Sequence, residues 1–300
     1  MRWLFHLVRP EELSWGSDGR YAPPSLSAEG FIHASHKEAV RESASLYFKA
    51  AELSRLCVLA IDPRRLDVPV ELAETPRGPM PHIHGSIPVD AVRALDLDAV
   101  DTHEELVTGT RIVLLAFTGM TLLDLVGPLD ALTRIASMGF DTTTTCEVAS
   151  LTPGGARPVV WSAAGAELAT ARYRPALEAF DVLVVPGGPG TRALEHDAAA
   201  IAYLATFPAN RLTTSVCTGA LLLGAAGRLA GKRATTHHTS IAELARFGAI
   251  ATNDRVVDEG QLVTAGGVTS GIELGLHVVR RLAGEEAYAA IAAQMEVRPP

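Results

Sequence analysis

From residue 110 onward the chain alternates short, continuous apolar runs with longer stretches of mixed apolar and polar positions. Arg111-Ile112-Val113-Leu114-Leu115-Ala116-Phe117 is apolar on both alternating faces, the pattern of a strand buried on two sides. A helical stretch over about Leu122–Ser137 follows it. Asp181-Val182-Leu183-Val184-Val185-Pro186 is a second such strand and runs directly into Gly187-Gly188-Pro189-Gly190. A helix over about Leu194–Thr206 leads to Thr213-Thr214-Ser215-Val216-Cys217. The small residues Thr218, Gly219 and Ala220 then turn the chain into a helix-forming run. This βαβ rhythm predicts a mostly parallel sheet sandwiched by helices, with ligands binding beyond the carboxyl ends of the strands. Phe117, Gly187 and Cys217 all fall at such ends.

Before residue 100 the character differs. Residues 1–99 carry five of the ten histidines and the Pro/Gly-rich loops Tyr21-Ala22-Pro23-Pro24 and Thr75-Pro76-Arg77-Gly78-Pro79-Met80-Pro81. Polar Asp101-Thr102-His103-Glu104-Glu105 separates the two regions. We therefore expect a domain over 1–100, a linker over 101–109 and a second domain over 110–300. A content of 48% hydrophobic and 20% charged residues suffices for sizeable cores and excludes global disorder. The net charge of −8 argues against nucleic acid or an anionic membrane as partner. No apolar run reaches the roughly 18–20 residues of a membrane span, and the start lacks a signal-peptide core. Three widely spaced cysteines, Cys57, Cys146 and Cys217, form no disulfide framework or metal knuckle, which fits a reducing cytoplasm.

The candidate chemistry centres on Cys217. Its strand-to-helix turn has the arrangement of a nucleophile elbow, where the helix N-terminus would favour thiolate over thiol. The same residue reads equally as a small buried hydrophobe. Asp124 lies among apolar neighbours in Leu122-Leu123-Asp124-Leu125-Val126-Gly127-Pro128, as an acid–base group or as a helix cap. Gly187 and Gly188 permit close backbone approach and offer amides to developing negative charge, or simply make a tight turn. His237 and His238 are adjacent, so on a strand they would face opposite ways and form no metal site. His82 and His84 would share a strand face, but no third ligand accompanies them, so no metal is expected.

Taken together, Leu123-Asp124-Leu125-Val126-Gly127-Pro128, Val185-Pro186-Gly187-Gly188, Ser215-Val216-Cys217-Thr218-Gly219, Gly231-Lys232-Arg233-Ala234-Thr235-Thr236-His237 and Gly266-Gly267-Val268-Thr269-Ser270-Gly271-Ile272-Glu273 resemble the ThiJ/PfpI superfamily. Within it they look most like the isonitrile hydratase branch, over residues 109–297. The resemblance implies a flavodoxin-like α/β fold akin to class I glutamine amidotransferases. It implies a hydro-lyase in which Cys217 attacks the isonitrile carbon and Asp124 shuttles the proton. Thr218 belongs to the catalytic set, and Gly187, Gly188, Thr218 and His237 line the oxyanion or substrate site. A small-molecule substrate, no cofactor and a homodimer are further implications. Two departures from relatives matter: Thr218 rather than His follows the nucleophile, and His238 stands where isonitrile hydratases usually carry Trp.

The first region has its own resemblance. Phe5-His6-Leu7, Glu29-Gly30-Phe31-Ile32-His33-Ala34-Ser35, Leu59-Ala60-Ile61-Asp62-Pro63 and Pro81-His82-Ile83-His84-Gly85 look like domain of unknown function 952, over about residues 2–97. It implies a small α+β fold of ADP-ribosyltransferase-like type, with His6, His33 and Ser35 as pocket candidates; His33 reads equally as a packing or capping residue. Two further functions remain open for the chain. One is a glyoxalase- or deglycase-like enzyme on reactive carbonyls, with His237 as relay. The other is a ligand-sensing module like those of AraC-type regulators, against which stand the negative charge and the chain's end soon after Ala287–Val297.

Overall fold

A computed structural model describes residues 2–66, 68–103 and 109–297. The expected linker, 101–109, falls in large part on residues 104–108, outside the described residues. The chain divides into two compact units, Met1–Val107 and Thr108–Pro300. Among the described residues no helix is long and apolar enough to cross a membrane.

The first unit is α+β. Strands β1 (Leu4–Val8), β3 (Cys57–Ile61) and β6 (Val92–Asp96) form an antiparallel sheet in the order β1-β3-β6. Strands β2 (Ile32–His33), β4 (Val70–Thr75) and β5 (Gly78–Ile83) form a second one, ordered β2-β5-β4. Two short helices, α1 (Pro24–Glu29) and α2 (Val40–Tyr47), complete it. Tyr21, Ile32, Leu59, Ile61, Ile83 and Ile87 are fully buried together in its core.

The second unit is built on a six-stranded sheet. Its strands are β7 (Arg111–Ala116), β8 (Thr145–Ser150), β9 (Val182–Val185), β10 (Leu212–Val216), β11 (Val256–Asp258) and β12 (Leu262–Ala265). Their order is β8-β7-β9-β10-β12-β11, parallel throughout except that β11 runs against β12. The helices are α3 (Leu122–Ser137), α4 (Ala198–Ala205), α5 (Gly219–Ala225) and α6 (Ser270–Gln294). From β7 the chain first winds outward to β8, then returns to wind the other way through β9 and β10. Right-handed crossovers therefore send α3 to one face and α4 to the other. Consistent with this, α6 packs on α3, and α4 on α5. Every residue of β9 and β10 is buried, as strands covered on both faces must be.

One expected element is interrupted. The helix read over 194–206 is a short turn at Thr191–Leu194 followed by α4. Asp197 causes the break: its carboxylate accepts from the Ala199 and Ala200 amides at 2.9 and 3.2 Å, starting a new helix where a continuous one was expected.

Candidate active site

The strands that bring Cys217 and Gly187 together end level. Val185 pairs with Ser215, and Val216 with Ala265, so the segments after β9, β10 and β12 emerge side by side. The reversal of winding lies between β7 and β9, where the fold opens a crevice at the carboxyl ends. Asp124 enters it from the first turn of α3, just after β7.

Cys217 is the residue between β10 and α5 and has a positive φ of 55°. Few non-glycine residues adopt this conformation, and here the surroundings hold it. Its amide donates to Ala265 O at 3.0 Å and Gly266 O at 2.8 Å, and its carbonyl accepts from Thr236 Oγ1 at 2.7 Å. Val268, on the neighbouring loop after β12, has φ of 31°, an outlier for a β-branched residue. The Thr218 and Val268 amides both lie close enough to the Cys217 sulfur to favour its charged form. Of the four described non-glycine residues at positive φ in this unit, two, Cys217 and Val268, thus adjoin one side chain, the others being Arg174 and Glu296.

Asp124 is fully buried. Its Oδ2 accepts the Gly187 amide at 3.1 Å, and Oδ1 is buried without a hydrogen-bond partner of its own. Burial pushes the carboxyl up to about 6; the Gly187 amide and the Cys217 thiol beside it pull the other way but less. The thiol responds in kind. Burial, then the negative charge of Asp124, push Cys217 up to about 11, against the opposing pull of the Thr218 and Val268 amides. This corrects the expectation that the helix N-terminus would favour thiolate: burial and the carboxylate outweigh it. The resting pair at neutral pH is a thiol beside a carboxylate.

Gly187 and Gly188 make the close approach expected of them. A Cβ on Gly187 would sit 2.5 Å from Thr218 N and 2.9 Å from Cys217 Cβ. At Gly188, with φ of 125°, it would meet Thr121 N at 2.3 Å. Their amides, however, are occupied: that of Gly187 by Asp124, and that of Gly188 by Thr218 Oγ1 at 2.9 Å. The amides aimed at the sulfur are those of Thr218 and Val268. Val268 was missed as a site residue because its positive φ runs against its own side-chain preference.

His237 does not lie on a strand. It precedes the 3-10 segment His238–Phe247 and caps it, its Nδ1 lying 2.8 Å from Thr239 Oγ1. The ring lies against Gly267, next to the Val268 loop, and burial followed by His238 lowers its pKa. His238 itself is exposed, with its ring centroid 4.3 Å from that of His237. Beyond them Arg192 reaches from the turn after Gly190 to Glu243, at 2.5 and 2.6 Å, and to Ser240 Oγ at 2.9 Å. That bridge ties the glycine loop to the segment after His237, and sequence reading gave no sign of it.

In the first unit the three pocket candidates diverge. His6 is nearly enclosed: Nδ1 meets His33 O at 2.7 Å, Nε2 meets Tyr21 Oη at 3.0 Å, and burial lowers its pKa to about 4. The His33 ring instead points outward to Glu29 at 2.9 Å and stands edge-on to Phe31 and His82. Ser35 is buried against Ser43 Oγ at 3.1 Å. His82 stacks on Phe31 with centroids 3.9 Å apart, while His84 pairs with Glu71 at 3.3 Å and stands tilted against the same Phe31 ring at 5.8 Å.

A parallel α/β sheet with a strained cysteine at a strand-to-helix turn, facing a buried carboxylate, defines a class of thiol-bearing domains. The chain belongs to the DJ-1/PfpI family, whose model matches residues 110–281. Residues 7–95 match the family described as protein of unknown function (DUF952). The chain is 37% identical over 190 residues to the isonitrile hydratase of Pseudomonas putida, covering 63% of this chain and 79% of that protein. It is 31% identical over 108 residues to the glutathione-independent glyoxalase DJR-1.2 of Caenorhabditis elegans, covering 36% of this chain and 58% of that one. The crystal structure of a ThiJ/PfpI family protein from Pseudomonas syringae superposes with a TM-score of 0.56 at 34% identity, covering 64% of this chain and 77% of that one.

Proposed function

We infer that this chain hydrates isonitriles to N-substituted formamides, with Cys217 as nucleophile and Asp124 as acid and base. The observation that carries the reading is the buried pairing of a thiol with a carboxyl whose pKa is pushed up to about 6. An acid–base group is most effective when it titrates near the working pH. Asp124 takes the thiol proton as sulfur bonds to the terminal isonitrile carbon, then delivers that proton to the same carbon. The product is a thioimidate, R–N=CH–S–Cys217. Water next adds to the carbon, with one of its protons passing to nitrogen. The C–S bond then breaks, the hydroxyl proton returns through Asp124 to sulfur, and R–NH–CHO leaves. The Thr218 and Val268 amides hold the sulfur while it carries charge. The resemblance to the Pseudomonas putida isonitrile hydratase supports this assignment.

The test follows formamide and lactate by NMR after incubation with an alkyl isonitrile and with methylglyoxal. Formamide should form with the wild type and not with Cys217→Ser. Lactate without formamide would favour the second reading, a glyoxalase-like activity, which the resemblance to the Caenorhabditis elegans glyoxalase supports. That reading needs His237 as relay, yet its Nδ1 is engaged with Thr239. Ligand-induced stabilisation with no turnover would favour a sensor instead.

A further inference from the structure

Thr218 is half-buried and follows the nucleophile directly. Three polar atoms surround its Oγ1: Gly188 N at 2.9 Å, Thr191 Oγ1 at 3.1 Å and Gly188 O at 3.3 Å. The amide can only donate, so Oγ1 accepts there. The Gly188 carbonyl can only accept, through two lone pairs; the Thr191 amide takes one at 3.0 Å, and two hydroxyls compete for the other. Thr191 Oγ1 is 2.8 Å away from that carbonyl and Thr218 Oγ1 is 3.3 Å away. Hydroxyl hydrogen bonds centre near about 2.7–2.8 Å, so Thr191 takes the carbonyl. Thr191 is also fully buried, so solvent does not compete for its proton. The 3.1 Å contact between the two hydroxyls has Thr191 as donor, so the Thr218 proton is left with only its long approach to the carbonyl, which an acceptor on a bound molecule can replace.

We propose that Thr191 is a positioning residue: by occupying the Gly188 carbonyl it frees the Thr218 hydroxyl to donate to the substrate atom that gains charge as Cys217 adds. This rests on the thiol-addition reading above. It narrows the substrate class to small molecules whose attacked carbon is bonded to a hydrogen-bond acceptor, such as isonitrile nitrogen or carbonyl oxygen. In Thr191→Val the carbonyl keeps the Thr191 amide at 3.0 Å but loses its hydroxyl donor, and the only hydroxyl left within reach is that of Thr218. Its proton is then drawn to the protein instead of the substrate. Thr191→Ser keeps the arrangement.

The test compares wild type, Thr191→Val and Thr191→Ser on whichever of an alkyl isonitrile or methylglyoxal the wild type turns over. One of about three hydroxyl rotamers is productive, so misdirecting the proton should lower kcat by roughly three- to tenfold. KM should change little, and Ser should restore the rate. A readout needing no substrate is solvent exchange of the Thr218 hydroxyl proton by NMR. Exchange should slow in Thr191→Val, where that proton binds the carbonyl, and recover in Thr191→Ser. If Val disturbs the fold, Thr191→Ala removes the same hydroxyl and takes its place in both measurements. Unchanged kcat, or Thr218 exchange identical in all variants, would overturn the proposal. Absence of wild-type turnover on either substrate would sink the thiol-addition reading, while hydroxyl exchange still decides the role of Thr191.

Discussion

Asp124 is ionised at neutral pH in a place that resists ionisation. Its folded pKa of about 6 stands above the ordinary 3.8, so between those values the native state binds more protons than the unfolded chain. Stability from this group is therefore full below about pH 4 and lost as pH rises through 6. At pH 7 the burden is about 3 kcal/mol. Asp124→Asn should remove it: melting at pH 7 should rise, with little change at pH 4. Removing the carboxylate also removes one cause of the high Cys217 pKa, so iodoacetamide should alkylate Cys217 faster in the variant at pH 8. Isonitrile turnover should nevertheless fall by at least about 10²-fold, the lower range for acid–base groups. A variant that alkylates faster yet turns over at the wild-type rate would remove Asp124 from the mechanism. In the wild type, turnover should decline as pH falls through 6, since a protonated Asp124 cannot accept the thiol proton. Cys217 and Asp124 were legible as candidates because each breaks a local pattern. The direction of the thiol's pKa was not, because it depends on burial and on a partner distant in sequence.

At the scale of elements, the fold places chemistry where strands end and tolerates almost no volume there. The continuous apolar runs marked β7, β9 and β10, and the switch after Cys217 marked α5, because burial on two faces leaves a plain signature. The break before α4 was hidden, since Asp197 is an unremarkable residue until its carboxylate finds the Ala199 and Ala200 amides. The loop from Gly266 to Thr269 was harder still: no local preference points to a valine at positive φ. Gly187 supplies the test at this scale. Its missing Cβ would collide with backbone and with the nucleophile's own Cβ, neither of which is a flexible side-chain end. Gly187→Ala should cost about 1–3 kcal/mol in chemical denaturation, the usual penalty for overpacking. It should also displace the Asp124 contact to the Gly187 amide, and activity should fall further than stability alone explains. A melting curve and kcat both equal to wild type would show that this loop is looser than its contacts indicate.

At the scale of the molecule, the two units carry very different kinds of evidence for function. The second unit contains Cys217, Asp124, Thr218, Gly187, Gly188 and His237, its sheet is complete without a strand from the first, and the DJ-1/PfpI match lies wholly inside it. The first unit has its own cores and its own three sheets, and the side chains of His6, His33 and Ser35 serve separate contacts there. The change of composition near residue 100 lies close to where the two units part, although His103 of the polar stretch stands edge-on to the core residues Trp3 and Phe5. We propose that the units fold independently, and that the second pairs into a homodimer as the family resemblance implies. A chain starting at Thr108 should then be soluble, melt cooperatively and hydrate an isonitrile with the kcat of the full-length protein. Light scattering at micromolar concentration should give twice the monomer mass for both proteins. An insoluble second unit would mean that its fold needs the first. A soluble one with full-length melting but reduced kcat would mean that residues 1–107 act on the Cys217 site, and would turn the search for their role toward catalysis.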